Sequence, residues 1–393
     1  MKRTVKDLVG LKGKTVLVRV DFNVPVDENG KILDNTRVVK ALPTIRYLVK
    51  QKAKVVLMSH LGRPKEYDMH KSLWPVAMLL KRALRCSVSF CNEFVGEEAT
   101  ARIKAMRDGS VLLLENTRFH KGEEACDMAL SKHLASLANL YVNDAFGTAH
   151  RKNASTFGVA RLLPNAIGLL MEKEVNALGP TIENPKRPFV AIIGGAKVST
   201  KINILKRFID KADTLIIGGA MAYTFLKAKG ENVGDCLVED DNLDEALEIL
   251  KKAEDQGKKV LLPIDHVCID NSQRKRPVVM VKKIKSEMVG YDIGEATAKL
   301  YAKEIAHAKQ VLWNGPMGKF EEERFAYGTY LIAQAVAKCH GYTVVGGGDT
   351  VSAINKFKLA KKISFISTGG GATMEFLEQG SLPCIDVIQE KIV

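Results

Sequence analysis

Short apolar, β-branched runs recur along this chain, and each stops at a turn rich in polar side chains or glycine. Four lie in the first half, at 15–20, 55–58, 111–114 and 140–142. Five lie in the second, at 190–193, 214–217, 311–313, 342–345 and 363–366. Segments with helical spacing separate them, such as 37–52, 73–84 and 127–137. A strand can pair in parallel with the next only through a helix-length crossover, so this alternation specifies α/β architecture with parallel sheets. At 393 residues the chain is too long for one core of ordinary size. Two doubly wound, Rossmann-like parallel-sheet domains are therefore expected. Between Leu162 and Pro188 the texture changes, with Pro164, Pro180, Pro185 and Pro188 flanking a helical stretch at 169–178. That stretch reads as an interdomain helix with a proline-rich exit, giving domains at 1–168 and 189–378 and a linker at 169–188.

Composition removes several classes. No apolar run reaches membrane-spanning length, and Asp7 and Lys12 interrupt any signal-peptide core, so a cytoplasmic protein is expected. Seven scattered cysteines without a CxxC pair point to reduced thiols. The net charge of +14 suits anionic partners. The lysines are spread along the chain without an aromatic-rich basic motif, so nucleic acid is not the expected partner, and without a membrane-spanning run no membrane partner is expected either. Residues 10–15, GLKGKT, imitate a phosphate loop, but the glycines are too close and the segment precedes a strand, so a plain turn is expected.

The strand ends carry the chemistry, since ligands of a parallel sheet bind beyond its carboxyl edge. In the first half His60, Arg63, Arg118, His150 and Arg151 each fall just after a run, and Arg37 follows the turn at 34–36. Guanidinium forks grip phosphate and carboxylate bidentately, and several facing one pocket repel each other unless a multiply charged anion sits among them. In the second half the ends are bare: Gly194-Gly195, Gly218-Gly219, Asn314-Gly315-Pro316, Gly346 to Thr350, and Gly369 to Gly371. Backbone without Cβ atoms admits a planar base and a phosphate chain. Lys197 and Lys201, four apart, are expected one above the other on a helix. Asp349 reads either as a helix cap or as a magnesium ligand, and Thr350 as a donor to phosphate. An anion site on one domain and a nucleotide site on the other imply transfer between them.

These residues also stand in motifs. RVDFNVP (19–25), SHLGRP (59–64), NDAFGTAHR (143–151), GGAKVSTK (194–201), WNGPMGKFE (313–321), GGGDT (346–350) and STGGGA (367–372) resemble, in order, those of the phosphoglycerate kinase family. The resemblance implies that Asp21, Asn23, Arg37, His60, Arg63, Arg118 and Arg151 of the first domain hold 3-phosphoglycerate or 1,3-bisphosphoglycerate. It implies that Gly195, Lys201, Gly219, Gly290, Asn314, Pro316, Glu321, Gly347, Gly348, Asp349 and Thr350 hold ADP or ATP, with Asp349 holding Mg2+ through the nucleotide phosphates. Arg37 and Lys197, with the N–H groups of Gly370 and Gly371, would stabilise the phosphoryl group in transit. The resemblance also implies that a tail at 379–393 returns to the first domain, and that the protein is a monomer. Two departures stand out: Ala220 where a third glycine is usual, and Lys152-Asn153 where Ala-His is usual.

The reaction so implied passes a phosphoryl group between 1,3-bisphosphoglycerate and ADP, giving 3-phosphoglycerate and ATP, in line and reversibly. Both acceptors are already ionised near neutral pH, so no general base is expected, and alignment plus charge stabilisation must suffice. Half-sites on separate domains require a hinge closure, which an unchanged radius of gyration on binding both substrates would refute. A nicotinamide-dependent dehydrogenase is the rival enzyme, weakened because no turn reads GxGxxG. A basic nucleic-acid-binding protein is the rival outside enzymology, and it leaves the glycine turns without a role.

Overall fold

The computed structural model describes residues 1–28 and 30–391. The chain divides into two compact units, one of Met1–Asn176 with Ser381–Val393, the other of Ala177–Gly380. The last two residues of the expected tail, Ile392 and Val393, lie outside the described residues.

The first unit holds strands β1 (Thr15–Arg19), β2 (Lys54–Met58), β3 (Val88–Phe90), β4 (Val111–Leu113), β5 (Leu140–Asn143) and β6 (Asn165–Ile167). They form one sheet in the order β3-β4-β2-β1-β5-β6, parallel throughout. The central strands are buried almost end to end because helices cover both faces, which is why their sequences are continuous apolar runs rather than alternating ones. Val16, Val18, Val55, Leu57, Val111 and Leu113 share one core with Val38, Ile45 and Leu48 of the helix Thr36–Lys50. The phosphate-loop lookalike is a turn ahead of β1. The tail packs back on this unit. Cys384 N–H donates to the Ala149 carbonyl at 3.0 Å, and Lys391 N–H to that of Met1 at 2.8 Å.

The second unit holds β7 (Phe189–Ile193), β8 (Thr214–Ile217), β9 (Lys259–Leu261), β10 (His266–Asp270), β11 (Val278–Val281), β12 (Met288–Ile293), β13 (Gln310–Asn314), β14 (Tyr342–Gly346) and β15 (Phe365–Ile366). Six make a parallel sheet in the order β15-β14-β13-β7-β8-β9, and the other three an antiparallel sheet, β11-β10-β12. The five glycine-ended runs are the five neighbouring strands β15, β14, β13, β7 and β8. Since all are parallel, their bare ends fall on one edge.

One helix, Leu169–Glu183, carries the chain from the first unit to the second. It runs past Pro180, beyond the stretch that the sequence spacing marks. Proline has no N–H, so the Asn176 carbonyl loses its helical donor at the division between the units. The turn closes all the same, with Thr181 Oγ1 donating to the Ala177 carbonyl at 2.9 Å and Asn184 N–H to that of Pro180 at 3.1 Å.

Candidate functional sites, one in each unit

In the first unit Asp21 and Asn23 follow β1, His60 and Arg63 follow β2, Arg118 follows β4, and His150 and Arg151 follow β5. Because β4, β2, β1 and β5 are adjacent and parallel, these residues leave from one edge. Arg37, in the first turn of Thr36–Lys50, reaches the same edge and pairs with the buried Asp21 carboxylate. Asn23 Oδ1 accepts from Gly62 N–H at 2.8 Å, tying the first turn to the second. Arg118 donates to the Gly62 carbonyl and pairs with Glu124 at 2.9 Å. Arg151 Nε donates to His150 Nε2 at 3.1 Å, and Arg63 is exposed at the rim.

Arg19 was not singled out by sequence reasoning, yet it organises this edge. It is the last residue of β1 and only 1% exposed. Its Nε donates to Ser155 Oγ at 2.8 Å, and that hydroxyl donates to Glu123 Oε1 at 2.6 Å, so a carboxylate of an unexposed residue balances the buried cation through one hydroxyl. Another guanidinium nitrogen lies 3.3 Å from His60 Nδ1. A guanidinium only donates, so Nδ1 is the acceptor and the ring proton sits on Nε2. Burial, then the charges of Arg19, Arg118, Arg37 and Arg151, hold the His60 pKa well below the usual histidine value. His60 is therefore a neutral Nε2–H donor among guanidinium groups, suited to an oxygen-rich anion. Its signal in the sequence is that Arg19 is the one charged residue inside the run at 15–20.

In the second unit two adjoining cavities open at the bare strand edge. The larger, about 520 Å³, is lined by Gly195, Gly219, Gly290, Pro316 and Glu321, with Ala220, Tyr223 and Leu237. The smaller, about 160 Å³, is lined by Lys201, Asn314, Gly347, Gly348, Thr350, Gly370 and Gly371. Asp349 borders both. Gly219 has φ +71°, and a Cβ there would stand 2.6 Å from the Gly195 nitrogen, so the floor of the larger cavity requires glycine. At Gly348, Gly370 and Gly371 a Cβ would meet nothing within 4 Å, so the smaller cavity is an open cradle of backbone. Gly370 is the N-cap and Gly371 the first residue of the helix Gly371–Gln379, which leaves its first N–H groups without helical acceptors.

Asp349 is the second residue of Gly348–Lys356, whose N-cap is Gly347. The cap reading therefore does not apply, and its carboxylate is exposed. Thr350 Oγ1 is buried and accepts from Gly315 N–H at 2.7 Å, pinning the turn after β13 to the one after β14.

Lys201 Nζ donates to Asn314 Oδ1 and lies 3.4 Å from Met374 Sδ. Burial pushes its pKa down to about 8, against the pull of Asp349 and Glu378. An anion placed in the cradle favours the ammonium, so its binding takes up a proton once the pH exceeds about 8. Nucleotide affinity should accordingly fall as pH rises from about 8 toward 10. Calorimetry at pH 8.5 in buffers of different ionisation heat should detect the uptake, and a proton count of zero would contradict it.

The expectation for Lys197 fails in one respect. The helix begins only at Ile202, with Lys201 at its N-cap, so Lys197 lies in an irregular turn and not one helical turn below Lys201. Long-range ties outweigh the local spacing. Val198 is fully buried, and Ser199 N–H and Oγ donate to Glu239 at 2.9 and 2.6 Å. Lys197 is exposed and borders neither cavity.

Comparison with known proteins adds an independent line. The pattern describing the family "Phosphoglycerate kinase" matches residues 5–380. A phosphoglycerate kinase of Pseudothermotoga lettingae is 48% identical over 99% of both chains. One of Moorella thermoacetica is 51% identical over 99% of this chain and 100% of its own. The solved structure of phosphoglycerate kinase from Coxiella burnetii superposes with a TM-score of 0.90 at 43% identity, covering 98% of each chain.

Proposed function

The chain belongs to the phosphoglycerate kinase family, and on that premise we propose how its two units divide the reaction. It is a kinase that transfers phosphate to a carboxyl group, acting on small molecules. The crowded edge of the first unit takes the acid. Arg37, Arg63, Arg118 and Arg151 grip its phosphate and carboxylate ends, His60 donates through Nε2, and Asp21 and Asn23 set the turn and the guanidinium of Arg37. The larger cavity of the second unit takes the purine and ribose, between Gly195, Gly219, Gly290 and Pro316, with Glu321 toward the ribose. The smaller takes the phosphates, against Lys201, Asn314 and Gly347 to Thr350. Ala220 adds a methyl to the wall of the purine cavity.

What carries this reading is the setting of His60: four guanidinium groups act on one buried, neutral ring. With Arg19, Arg37 and Arg118 each offset by a single carboxylate, the added charges of Arg63 and Arg151 and the remaining N–H groups fit a ligand with more than one negative charge.

Magnesium fits the second site as a partner of the nucleotide. Asp349 is a lone exposed carboxylate beside the open cradle, and among the described residues no group of three or more His, Cys, Asp or Glu is placed to hold a metal. Mg2+ binds in this way, through one or two carboxylates, substrate phosphates and water. When bound it neutralises charge on the phosphates. Arg37, Lys197 and the N–H groups of Gly370 and Gly371 then stabilise the phosphoryl group as it crosses, without a general base. Lys197, being exposed, is free to swing toward it. Transfer needs the two units to close on their ligands, and closure keeps water from the acyl phosphate. A cytoplasmic monomer is part of this reading.

The test is a coupled assay for ATP-dependent acyl-phosphate formation from 3-phosphoglycerate, run with and without Mg2+. Protein that binds both ligands yet shows no turnover with Mg2+ present would refute it.

A further inference from the structure

The antiparallel sheet of the second unit carries a feature that the chemistry above does not use. Among the described residues its edge strand β11 pairs only with β10. Arg274, Lys275 and Arg276 precede that strand, and Lys282, Lys283 and Lys285 follow it, all six exposed. No carboxylate falls between Asp270 and Glu287, and Asp270 is itself engaged by Ser272 N–H at 3.0 Å and Gln273 Nε2 at 2.8 Å.

The strand between these clusters is two-faced. Val279 and Val281 pack on the core of Tyr223 and Leu226, whereas Val278 and Met280 are 42% and 58% exposed. An edge strand is ordinarily blunted by charge on its outer positions. Here the outer positions are apolar, and the charges stand at both ends of the strand instead.

That combination discriminates between anionic partners. A single-stranded nucleic acid is held by cations with aromatic rings on which bases stack, and residues 271–287 contain no Phe, Tyr, Trp or His. An anionic lipid surface needs cations at headgroup level and aliphatic side chains to enter the acyl boundary, which is what the hairpin offers. We propose that the edge strand β11 with its basic flanks, residues 273–285 of the β10–β11 hairpin, docks the protein peripherally on an anionic lipid bilayer. This departs from the expectation of no membrane partner, which rested on the lack of a membrane-spanning run and did not weigh peripheral docking. Val278 and Met280 lie on the exposed face of β11, opposite the Val279 and Val281 that pack on Tyr223, and neither they nor Lys282 and Lys283 line the nucleotide cavity.

The experiment is co-sedimentation of the full chain with phosphatidylcholine vesicles, plain or containing about one third phosphatidylserine, at about 0.1 M and about 0.5 M salt. The chain should sediment with the anionic vesicles only, and release at the higher salt. Lys282→Glu with Lys283→Glu should weaken binding at least tenfold, since each basic side chain near such a surface counts for roughly fivefold. Val278→Ser with Met280→Ser should weaken it several-fold at unchanged charge. Both variants should keep wild-type kinase activity and melting temperature, which reports the fold. Failure to sediment with anionic vesicles, equal binding to neutral ones, or indifference to both pairs of substitutions would overturn the proposal. Salt-steep binding to a mixed-sequence RNA that needs the cations but not Met280, without vesicle binding, would reassign the hairpin to nucleic acid and overturn it equally.

Discussion

Arg37→Ala should lower kcat about 10²- to 10³-fold, the range found when one preorganised donor to a transition state is removed. The effect on 3-phosphoglycerate affinity should be smaller, because Arg63, Arg118, Arg151 and His60 remain. The guanidinium of Arg37 is fixed by the Asp21 carboxylate, whose residue is only 8% exposed. Alanine removes the cation and leaves that carboxylate without its partner. Asp21→Asn should therefore be milder, since Arg37 is retained but less firmly aimed. Steady-state kinetics with both substrates separate the cases: a loss confined to KM would assign Arg37 to ground-state binding and remove it from the phosphoryl centre. Lys197→Ala belongs in the same experiment. A variant as active as the parent would exclude Lys197, whose exposed turn is held by the buried Val198 and by the hydrogen bonds of Ser199 to Glu239.

Gly315→Ala should cripple the second unit as a whole. Gly315 has φ +95°, and a Cβ there would drive into the Gly194 backbone, standing 2.9 Å from its Cα and closer still to its carbonyl. No side chain can move aside to relieve this, because the obstacle is main chain of the neighbouring strand end. Left-handed strain of about 1–2 kcal/mol and overpacking of about 1–3 kcal/mol add to a loss of about 3 kcal/mol, a large part of ordinary domain stability. For a unit of this size that corresponds to a melting shift of about 6–12 °C, with ADP binding lost in parallel. Gly348→Ala is the informative control. A Cβ there meets nothing within 4 Å, so the fold should hold while the methyl intrudes on the phosphate cradle. ADP affinity falling without a change in melting temperature is the expected result for that control. Gly315→Ala with wild-type melting and wild-type affinity would contradict the crossing of the two turns.

Much of the architecture was legible beforehand because parallel pairing leaves few choices. Once nine runs alternate with helical segments, their carboxyl ends fall on the edges of parallel sheets, and the arginines after β2, β4 and β5 are gathered with no further information. The glycine ends were legible for the same reason. The order β15-β14-β13-β7-β8 was not, since it depends on which crossovers pass over which face. The helix leaving Leu169 was read too short, because Pro180 is a strong local signal that the packing of Leu178, Thr181 and Ile182 overrides.

The amino-acid order by itself determined the α/β class, the gathering of cations at one unit's strand ends and the bare backbone at the other's. Those follow from residue type and spacing, which act over a few neighbours. Only the tertiary structure decided that Arg19 is buried against Ser155 and Glu123, that His60 is a neutral Nε2–H donor, and that Lys201 sits near its titration point. It alone took Lys197 off the helix. Each of these is set by loss of water and by partners far away in the chain, 136 residues for Arg19 and Ser155 and 113 for Lys201 and Asn314. Desolvation is a property of the packed molecule, and no local pattern encodes it.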